Sequence, residues 1–424
     1  MADKNVVENL VCNGKHFCVL PWVHFHAWPD SRVMPCCVAD SNMPVAHIDP
    51  DQSIIEMMNS DRYNEIRKAM LNDEEVPECK RCFDLELMGT WTMRQSHNRR
   101  RGIDYVNYIA ENTNEDGSLS EFEMKYMDIR FSNLCNMKCR SCGPSCSSQW
   151  AQEFLDKRGK EMWDEYFPGQ KVVVNNNEDQ QFMVKLKPYL ADVTEVYFAG
   201  GEIIITPEHY ECLDYWIESG QADTIELNYT TNFSTLHGYK NKDLIEYWKK
   251  FKNIQVWASL DAHGPLAECM RKGTDWNRTI KNMKKLKEEL PHVQFQITPT
   301  ISIWNIFHFA DFFDYMIDNG FIDTKTSPRF NLATNPWYAN IMILPNHVKR
   351  RLTELYRVYQ EKYKDNVDIF NGFKMIIYNL NVGDENKGGI LEFKQFNDEL
   401  DQFRNEKFED IVPEIKEVYE WAAS

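Results

Sequence analysis

The sequence lacks an apolar run of about 18 residues, the length that a membrane-spanning helix requires. It also lacks the short apolar core of a secretory signal peptide near its beginning. Basic residues are fewer than acidic ones, since the chain has 48 Lys and Arg and 65 Asp and Glu, and its net charge is −17. An acidic surface repels phosphate groups, so nucleic acids and membrane surfaces are disfavoured as partners. We therefore expect a soluble, cytoplasmic protein.

The chain contains enough hydrophobic residues to form a core, and many of its cysteines are clustered. Its 424 residues are 43% hydrophobic, which is enough for two or three folded domains, and no repeat of fixed period is visible. Cysteines that cluster in a large cytoplasmic chain indicate metal binding or catalysis rather than disulfides. Seven of the twelve cysteines fall into tight groups, which are Cys36–Cys37, Cys79–Cys82 and Cys135–Cys139–Cys142.

Pattern divides the chain into four regions. Residues 1–95 are rich in Cys, Pro and His, and residues 96–124 are polar and predict a linker. Residues 125–335 alternate β-like and helical runs, which favours an α/β fold with a parallel sheet. Residues 336–424 are amphipathic and helical. The predicted strands are Tyr126–Phe131, Val193–Ala199, Thr224–Thr230, Ile254–Leu260, Val293–Thr300 and Pro328–Ala333. The predicted helices include Ile54–Leu71, a helix from Pro207 to a stop at Gly220, Trp276–Leu290 and Ile306–Asn319.

The central cysteines directly follow the first strand of the alternating region. Cys135, Cys139 and Cys142 have the spacing Cys-x3-Cys-x2-Cys on one loop. Three thiolates can hold three irons of a cubane cluster and leave the fourth iron open to a ligand. A zinc site completed by a fourth ligand, such as Cys146, is the alternative interpretation.

Polar residues follow the next strands, where the carboxyl ends of parallel strands form ligand sites. Two glycines before an acid allow close backbone approach to a ligand and provide an anion for an ammonium group. The residues concerned are Gly200, Gly201 and Glu202 after the second strand, Asn232 after the third, and Ser259, Asp261 and Arg271 after the fourth.

With these motifs in register, residues 125–335 resemble the radical S-adenosylmethionine (SAM) superfamily. The resemblance implies a partial (β/α)6 barrel in which Cys135, Cys139 and Cys142 bind a 4Fe–4S cluster whose open iron chelates SAM. It also implies a SAM-binding set in which Gly200, Gly201 and Glu202 orient the amino group and Ser259 and Asp261 contact the ribose. Arg271 would face the carboxylate or ribose, and Thr298 or Thr300 would line the adenosyl pocket. Asn232 would belong to the family's Thr-Asn-Gly motif after the third strand. Two positions depart from the family pattern, because Ser141 replaces an aromatic residue and Phe233 replaces a glycine.

The N-terminal region contains a second candidate metal site. Cys18 precedes Pro21-Trp22, Cys36 and Cys37 end a predicted β-hairpin, and Cys79 and Cys82 form a Cys-x2-Cys turn. Four such thiolates suit zinc or a cubane cluster equally well. The pattern is similar to the twitch and SPASM auxiliary-cluster domains, with Ser31 in place of a glycine. That resemblance implies one auxiliary 4Fe–4S cluster on Cys18, Cys36, Cys79 and Cys82, with Cys37 as the rival to Cys36.

Two histidines of the N-terminal region, His24 and His26, alternate along a predicted strand and therefore face the same way. We interpret them as structural or substrate-facing rather than as metal ligands. Cys269, two residues before Arg271, is a candidate hydrogen donor, whereas Cys212 lies within a helix and is interpreted as core.

The family resemblance implies a reaction and its partners. SAM would be cleaved reductively to a 5′-deoxyadenosyl radical that abstracts hydrogen from a substrate, and the electron would come from a donor such as flavodoxin or ferredoxin. We favour a peptide or protein substrate, with dehydrogenation of a small molecule as the alternative. A non-enzymatic zinc-binding protein is the hypothesis from a different class.

Overall fold

The computed structural model describes residues 3–87, 91–178, 180–324 and 328–424. Twelve strands lie in these ranges. They are β1 His24–Ala27, β2 Arg32–Met34, β3 Ala46–His47, β4 Tyr126–Ile129, β5 Lys138–Cys139, β6 Glu195–Phe198, β7 Glu226–Thr231, β8 Asn253–Ala258, β9 Arg271–Lys272, β10 Gln294–Ile297, β11 Thr300–Ile301 and β12 Asn331–Leu332.

Nineteen α-helices lie in the same ranges. They are α1 Lys4–Asn13, α2 Leu20–Val23, α3 Ile54–Met58, α4 Asp61–Leu71, α5 Lys80–Leu87, α6 Met93–Arg101, α7 Val106–Asn112, α8 Ser148–Tyr166, α9 Gln181–Leu186, α10 Pro207–Glu218, α11 Leu244–Trp248, α12 Gly264–Met270, α13 Trp276–Glu289, α14 Phe309–Asp318, α15 Asn346–Lys362, α16 Val367–Asn381, α17 Lys387–Arg404, α18 Phe408–Ile411 and α19 Ile415–Ala423. None of these described helices combines the length and apolar character needed to cross a membrane.

The α/β class with parallel strands and the helical C-terminal region are confirmed. Each of the six predicted strands overlaps an observed strand, and α15 to α19 occupy most of the predicted helical end. The aromatic residues Phe309, Phe312 and Phe313 of α14 are buried, which is usual for a core-facing helix. One predicted helix, Ile54–Leu71, is divided into α3 and α4, because Ser60 accepts a hydrogen bond from Tyr63 N and starts a new helix.

The chain forms two compact units. The first consists of Met1–Leu134, Val173–Leu227 and Lys250–Asn253. Its strands lie in the order β6-β4-β1-β2-β3. β1 pairs in parallel with β4, which pairs in parallel with β6, while β1–β2 and β2–β3 are antiparallel. The N-terminal region therefore contributes a strand beside the first strand of the predicted parallel series.

The β1–β2 hairpin turns at a residue whose backbone favours glycine. Ser31 has φ of 70°, in the left-handed region, and its N–H donates to Trp28 O at 3.0 Å. Here the sequence has serine where the auxiliary-cluster domains have glycine, and the backbone conformation is kept.

The predicted linker 96–124 is largely helical and belongs to the first unit. It contains the end of α6 and the whole of α7. Arginines at the end of α6 pair with carboxylates at the start of β6 and β7, because Arg100 Nη1 lies 3.1 Å from Glu195 Oε1 and Arg101 Nη2 lies 2.6 Å from Glu226 Oε1. These contacts attach the segment to the edge of the first unit's sheet.

The second unit consists of Cys135–Val172, Asn228–Lys249 and Ile254–Ser424. Its main strands lie in the order β10-β8-β7, and β10 is parallel to β8. Two short pairs accompany them, parallel β11–β12 and antiparallel β5–β9. β7 and β8 begin in residues of the first unit and end in residues of the second.

Candidate functional site

The central cysteine loop belongs to the second unit and makes hydrogen bonds within itself and to the start of α8. Cys135 and Cys139 are buried, and Cys142 is half-buried. Cys142 N donates to Cys139 O at 3.2 Å, and Cys135 N donates to Ser148 Oγ, at the start of α8, at 3.2 Å. Helix α8 therefore begins where it can fix the loop.

Strand pairing brings Arg271 to the loop. β5 and β9 align Cys139 with Arg271, whose Nη1 lies 3.9 Å from Cys139 Sγ. Arg271 Nε donates to Asp261 Oδ2 at 2.7 Å, so three predicted site residues form one chain of contacts. A hydrogen bond from Cys142 lowers the pKa of Cys139 to about 7, with burial opposing the shift and the Arg271 charge assisting it. The thiolate, which is the form that binds metal, is thereby favoured at Cys139.

Gly273 allows β9 to approach the cysteine loop closely. Its φ is +113°, and a Cβ there would lie 2.8 Å from Asn136 O and 3.3 Å from Met137 Cα. A larger residue would push the two segments apart. The glycine two residues after Arg271 thus has a packing role against the loop that carries the cysteines.

Other predicted residues of the second unit surround this contact chain. Asn232 Nδ2 donates at 2.8 Å to the Oδ1 of Asn136, a cysteine-loop residue. Asp261 Oδ1 accepts from Thr300 N at 2.8 Å. These bonds place the ends of β7 and β8 and the start of β11 in one polar network with the loop.

Two predicted residues make contacts away from that network. The backbone N–H of Ser259 donates to Thr231 O at 2.8 Å and continues the pairing of β8 with β7. Thr298 Oγ1 accepts from Asn331 Nδ2 at 2.9 Å, beside the β11–β12 pair. Their assignment to SAM remains a prediction.

The Gly-Gly-Glu segment lies in the first unit. Gly201 N donates to Ser132 O at 3.1 Å, and Glu202 N donates to Leu134 O at 2.7 Å. A Cβ on Gly201 would lie 2.3 Å from Leu134 O, so only glycine fits there. Gly200 has φ of +129°, and Glu202 is buried. The turn is therefore packed tightly against the residues that directly precede Cys135.

The C-terminal helices hold the cysteine loop through a buried arginine between the cysteines. Arg140 is 1% exposed, and its Nη1 donates to Asn397 Oδ1 of α17 at 2.7 Å. Its Nη2 contacts Asp401, and it lies 3.0 Å from Glu406 Oε1. Arg140 Nε also donates to Cys269 O at 3.3 Å.

A second ion network reaches the same loop. Arg404, at the end of α17, donates from Nη2 to Lys138 O at 2.7 Å and to Glu153 Oε2 at 2.7 Å. Lys138 Nζ lies 2.6 Å from Glu153 Oε1. Sequence reasoning missed both networks, because the partners are separated by about 250 residues of sequence and no local pattern connects them.

The four predicted auxiliary-cluster cysteines come together in the first unit. Cys18, Cys36 and Cys82 are buried and Cys79 is half-buried. Burial raises the pKa of Cys79, and the neighbouring Cys36, Cys18 and Cys82 raise it further, so the four thiols are close enough to interact. Burial also raises the pKa of both Cys18 and Cys36 to about 12. The thiols share one desolvated site.

Cys37 faces a different set of neighbours. Burial raises the pKa of its thiol, and the charges of Asp128 and of the neighbouring Cys36 raise that pKa further. Its Sγ also lies 3.8 Å from Met93 Sδ. Of the two adjacent cysteines, Cys36 is thus the one grouped with Cys18, Cys79 and Cys82.

His24 and His26 lie with Asp128 in the first unit, all fully buried. The β1–β4 register pairs His26 with Asp128, and His26 Nδ1 lies 3.1 Å from Asp128 Oδ2. Burial lowers the pKa of His24 to about 3. Burial acts to raise the pKa of Asp128, but the charges of His26 and Arg130 outweigh it and the pKa falls below its usual range.

The remaining cysteines differ in exposure. Cys212 is fully buried on α10 and Cys269 is buried on α12, where burial raises its pKa to about 11. Cys146 is exposed, next to Cys142, whose pKa it helps to raise. A hydrogen-donor role for Cys269 remains a prediction.

Comparison with protein families identifies the N-terminal cysteine region. The SPASM model, described as an iron-sulfur cluster-binding domain, matches residues 18–83. This segment contains Cys18, Cys36, Cys79 and Cys82, so the SPASM-type cluster-binding domain predicted from the sequence is confirmed for it. No curated protein matches the chain.

Solved structures resemble the chain at low sequence identity. Native anSMEcpe with bound AdoMet and Cp18Cys peptide is 16% identical, with a TM-score of 0.36, covering 62% of this chain and 63% of that one. Streptococcus suis SuiB bound to S-adenosylmethionine is 17% identical, with a TM-score of 0.35, covering 72% of this chain and 60% of that one. Each match thus spans less than two thirds of the solved chain.

Proposed function

We propose that the protein is a radical SAM enzyme with one SPASM-type auxiliary cluster, and that it acts on a peptide or protein. The observation that carries this proposal is the contact chain from Asp261 through Arg271 to Cys139 on a loop with three cysteines. A loop with only three thiolates can leave one iron open, which a catalytic cluster needs and a closed structural site does not.

The donor chemistry of both cysteine sites fits iron–sulfur clusters. Cys135, Cys139 and Cys142 would hold the SAM-binding cluster, and Arg271 favours the thiolate at Cys139. The four cysteines of the SPASM segment would hold the auxiliary cluster, with a thiolate for each iron. When bound and reduced, the SAM-binding cluster supplies the electron that cleaves SAM to methionine and a 5′-deoxyadenosyl radical, which abstracts hydrogen from the substrate.

The protein's own residues would bind and orient SAM. Glu202 is a buried anion suited to the amino group, and Arg271 is a cation suited to the carboxylate or ribose. Asp261 is held by Arg271 and by Thr300 N, so its carboxylate has a fixed orientation. Held in this way, Asp261 is suited to bind the ribose.

The test is release of 5′-deoxyadenosine by anaerobically reconstituted protein with dithionite and SAM. Wild-type protein should contain about eight irons, four for each cubane. The variant Cys135→Ala/Cys139→Ala/Cys142→Ala should contain about half of that iron and release no deoxyadenosine.

The matched control is Cys146→Ala, which removes an exposed thiol four residues beyond Cys142. It should retain both the iron and the deoxyadenosine release. Loss of metal from this control, or zinc without labile sulfide in wild-type protein, would contradict the radical SAM assignment and favour a zinc-binding protein.

A further inference from the structure

We propose that His24, His26 and Asp128 bind one divalent transition-metal ion, at a third site separate from both cysteine sites. One ring nitrogen from each histidine and one carboxylate oxygen of Asp128 lie within 4.8 Å of one another. Two histidines and one carboxylate are a donor set that binds iron(II), and imidazole also suits zinc and other late divalent ions.

The strand register explains why the three side chains meet. His24 and His26 are two residues apart on β1 and share one face of the sheet. β4 lies directly beside β1 and pairs Asp128 with His26, so its carboxylate is on the same face. Neighbouring strands are about 4.8 Å apart, a spacing at which side chains from both can reach one ion. Donors on two paired strands are also rigidly placed.

The hydrogen bonds of the two rings leave a basic nitrogen on each. His24 Nδ1 lies 3.0 Å from Tyr126 O, and His26 Nδ1 lies 2.8 Å from Asp128 O. A carbonyl can only accept, so each Nδ1 carries the proton and each Nε2 keeps its lone pair. This is the arrangement by which outer hydrogen bonds orient metal-binding histidines.

Both Nε2 atoms are buried without a hydrogen-bond partner. An unsatisfied buried acceptor is unfavourable, so two such nitrogens on one face of a sheet favour a bound ligand at this position. A metal ion bound at one of these nitrogens and held by Asp128 would satisfy it. The alternative of two purely structural histidines explains their Nδ1 contacts but leaves both Nε2 atoms unexplained.

Charged and polar neighbours are compatible with a metal ion. Arg130 Nε lies 3.7 Å from Asp128 Oδ1 and lowers the net negative charge of the site. The Cys37 thiol lies near Asp128, whose charge acts on it, and adds a soft donor at the edge of the site. Nitrogen, carboxylate and sulfur donors together favour a transition metal over calcium or magnesium.

The test uses the full chain with both cysteine sites reconstituted and oxidised, so that their cubane clusters are diamagnetic. Manganese(II) chloride is the probe, added in the presence of excess magnesium to occupy carboxylate-only surface sites. The free-ion EPR signal should decrease by about one manganese per chain. His26→Gln and Asp128→Asn should abolish this magnesium-resistant binding without changing the iron content.

The matched control is His97→Gln. His97 stacks on Tyr126 with ring centroids 5.0 Å apart, on the same strand as Asp128, but it is not one of the three donors. This control should bind manganese as wild-type protein does. Retention of the site in folded His26→Gln and Asp128→Asn variants would overturn the proposal.

A measurement on wild-type protein keeps the test decisive if the buried variants fail to fold. Pulsed EPR of the bound manganese should detect coupling to the ¹⁴N of histidine. No magnesium-resistant binding, or bound manganese without nitrogen coupling, would overturn the site. Because the readouts are metal binding and iron content, failure here is distinguishable from failure of SAM cleavage.

Discussion

Among single residues of the second unit, Arg271 connects two other residues that the sequence singled out, Asp261 and Cys139. It pairs with buried Asp261 and lies beside Cys139, so it balances a carboxylate and a thiolate at once. The side chains of Arg271 and Asp261 are 16% and 2% exposed, which places this pair where water screens it weakly. Loss of the arginine would leave the carboxylate buried and unpaired.

We therefore expect Arg271→Met to lower the free energy of unfolding by about 3–5 kcal/mol, the usual cost of breaking a buried pair. The double variant Arg271→Met/Asp261→Asn should recover part of that loss, because no carboxylate remains unpaired. Urea unfolding of the metal-free protein under anaerobic conditions measures the free energy of unfolding of the single and the double variant. An equal loss in the single and double variants would show that the pair contributes nothing beyond packing.

The adjacent cysteines Cys36 and Cys37 allow a direct comparison, because they differ in neighbours rather than in chemistry. Cys36→Ser should reduce bound iron by about four atoms per chain, since Cys36 is grouped with the other SPASM thiols. Cys37→Ser should retain that iron, because Cys37 faces Asp128 and Met93. Iron and sulfide analysis of the two variants shows which cysteine binds the cluster. Loss of iron from Cys37→Ser but not from Cys36→Ser would show that Cys37 is the ligand.

At the level of elements, helix α17 holds the cysteine loop in place through side-chain contacts. Its Asn397, Asp401 and Arg404 contact Arg140, Glu153 and Lys138 on or beside that loop. The loop is too short to fix its own shape by secondary structure, since β5 has two residues. The helical C-terminal region therefore positions the cysteines.

Arg140→Met should destabilise the second unit by about 3–5 kcal/mol, because Asp401 and Glu406 lose a buried partner. It should also reduce iron in the central site while sparing the SPASM site, so about half of the iron should remain. The matched control is Arg158→Met, whose partner Glu399 also lies on α17 but at a more exposed contact. A surface ion pair contributes about 0–1 kcal/mol to stability. Equal losses of stability and iron in the two variants would therefore show that the contact of Arg140 with α17 does not position the cysteine loop.

The elements also show what the sequence could predict. The cysteine spacing and the strand-end motifs are local patterns, and three of the residues that they singled out, Cys139, Asp261 and Arg271, lie in one contact chain. The break at Ser60 was missed because a capping serine inside an amphipathic run does not disturb the run's periodicity. The partners of Arg140 and the neighbour of β1 could not be predicted, because each contact joins segments about 100 or more residues apart.

For the whole molecule, the buried SPASM thiols link stability to pH in the metal-free state. The pKa of Cys18 and Cys36 is raised from 9.0 to about 12, so the folded chain keeps these protons at pH values where the unfolded chain releases them. Their contribution to stability is fully present below pH 9 and is lost as pH rises from 9 towards 12.

The metal-free protein should therefore lose about 1.4 kcal/mol per thiol for each pH unit above 9. Urea unfolding at pH 8 and pH 10, followed by tryptophan fluorescence, measures this loss. Cys18→Ser/Cys36→Ser should show a weaker dependence, because serine does not titrate in this range. Identical pH dependence in the two proteins would place the titrating groups elsewhere.

The parallel pairing of β1 with β4 has a consequence for how the chain is made. Translation proceeds from the N-terminus, so β1 leaves the ribosome about 100 residues before the strand that it joins. Until β4 emerges, the side of β1 that will pair with it presents unsatisfied backbone groups, a hazard for misassembly. Cluster insertion into the SPASM segment before that point would hold the nascent hairpin in shape while it waits. The timing of iron delivery, and not only its amount, would then set the yield of folded protein in cells.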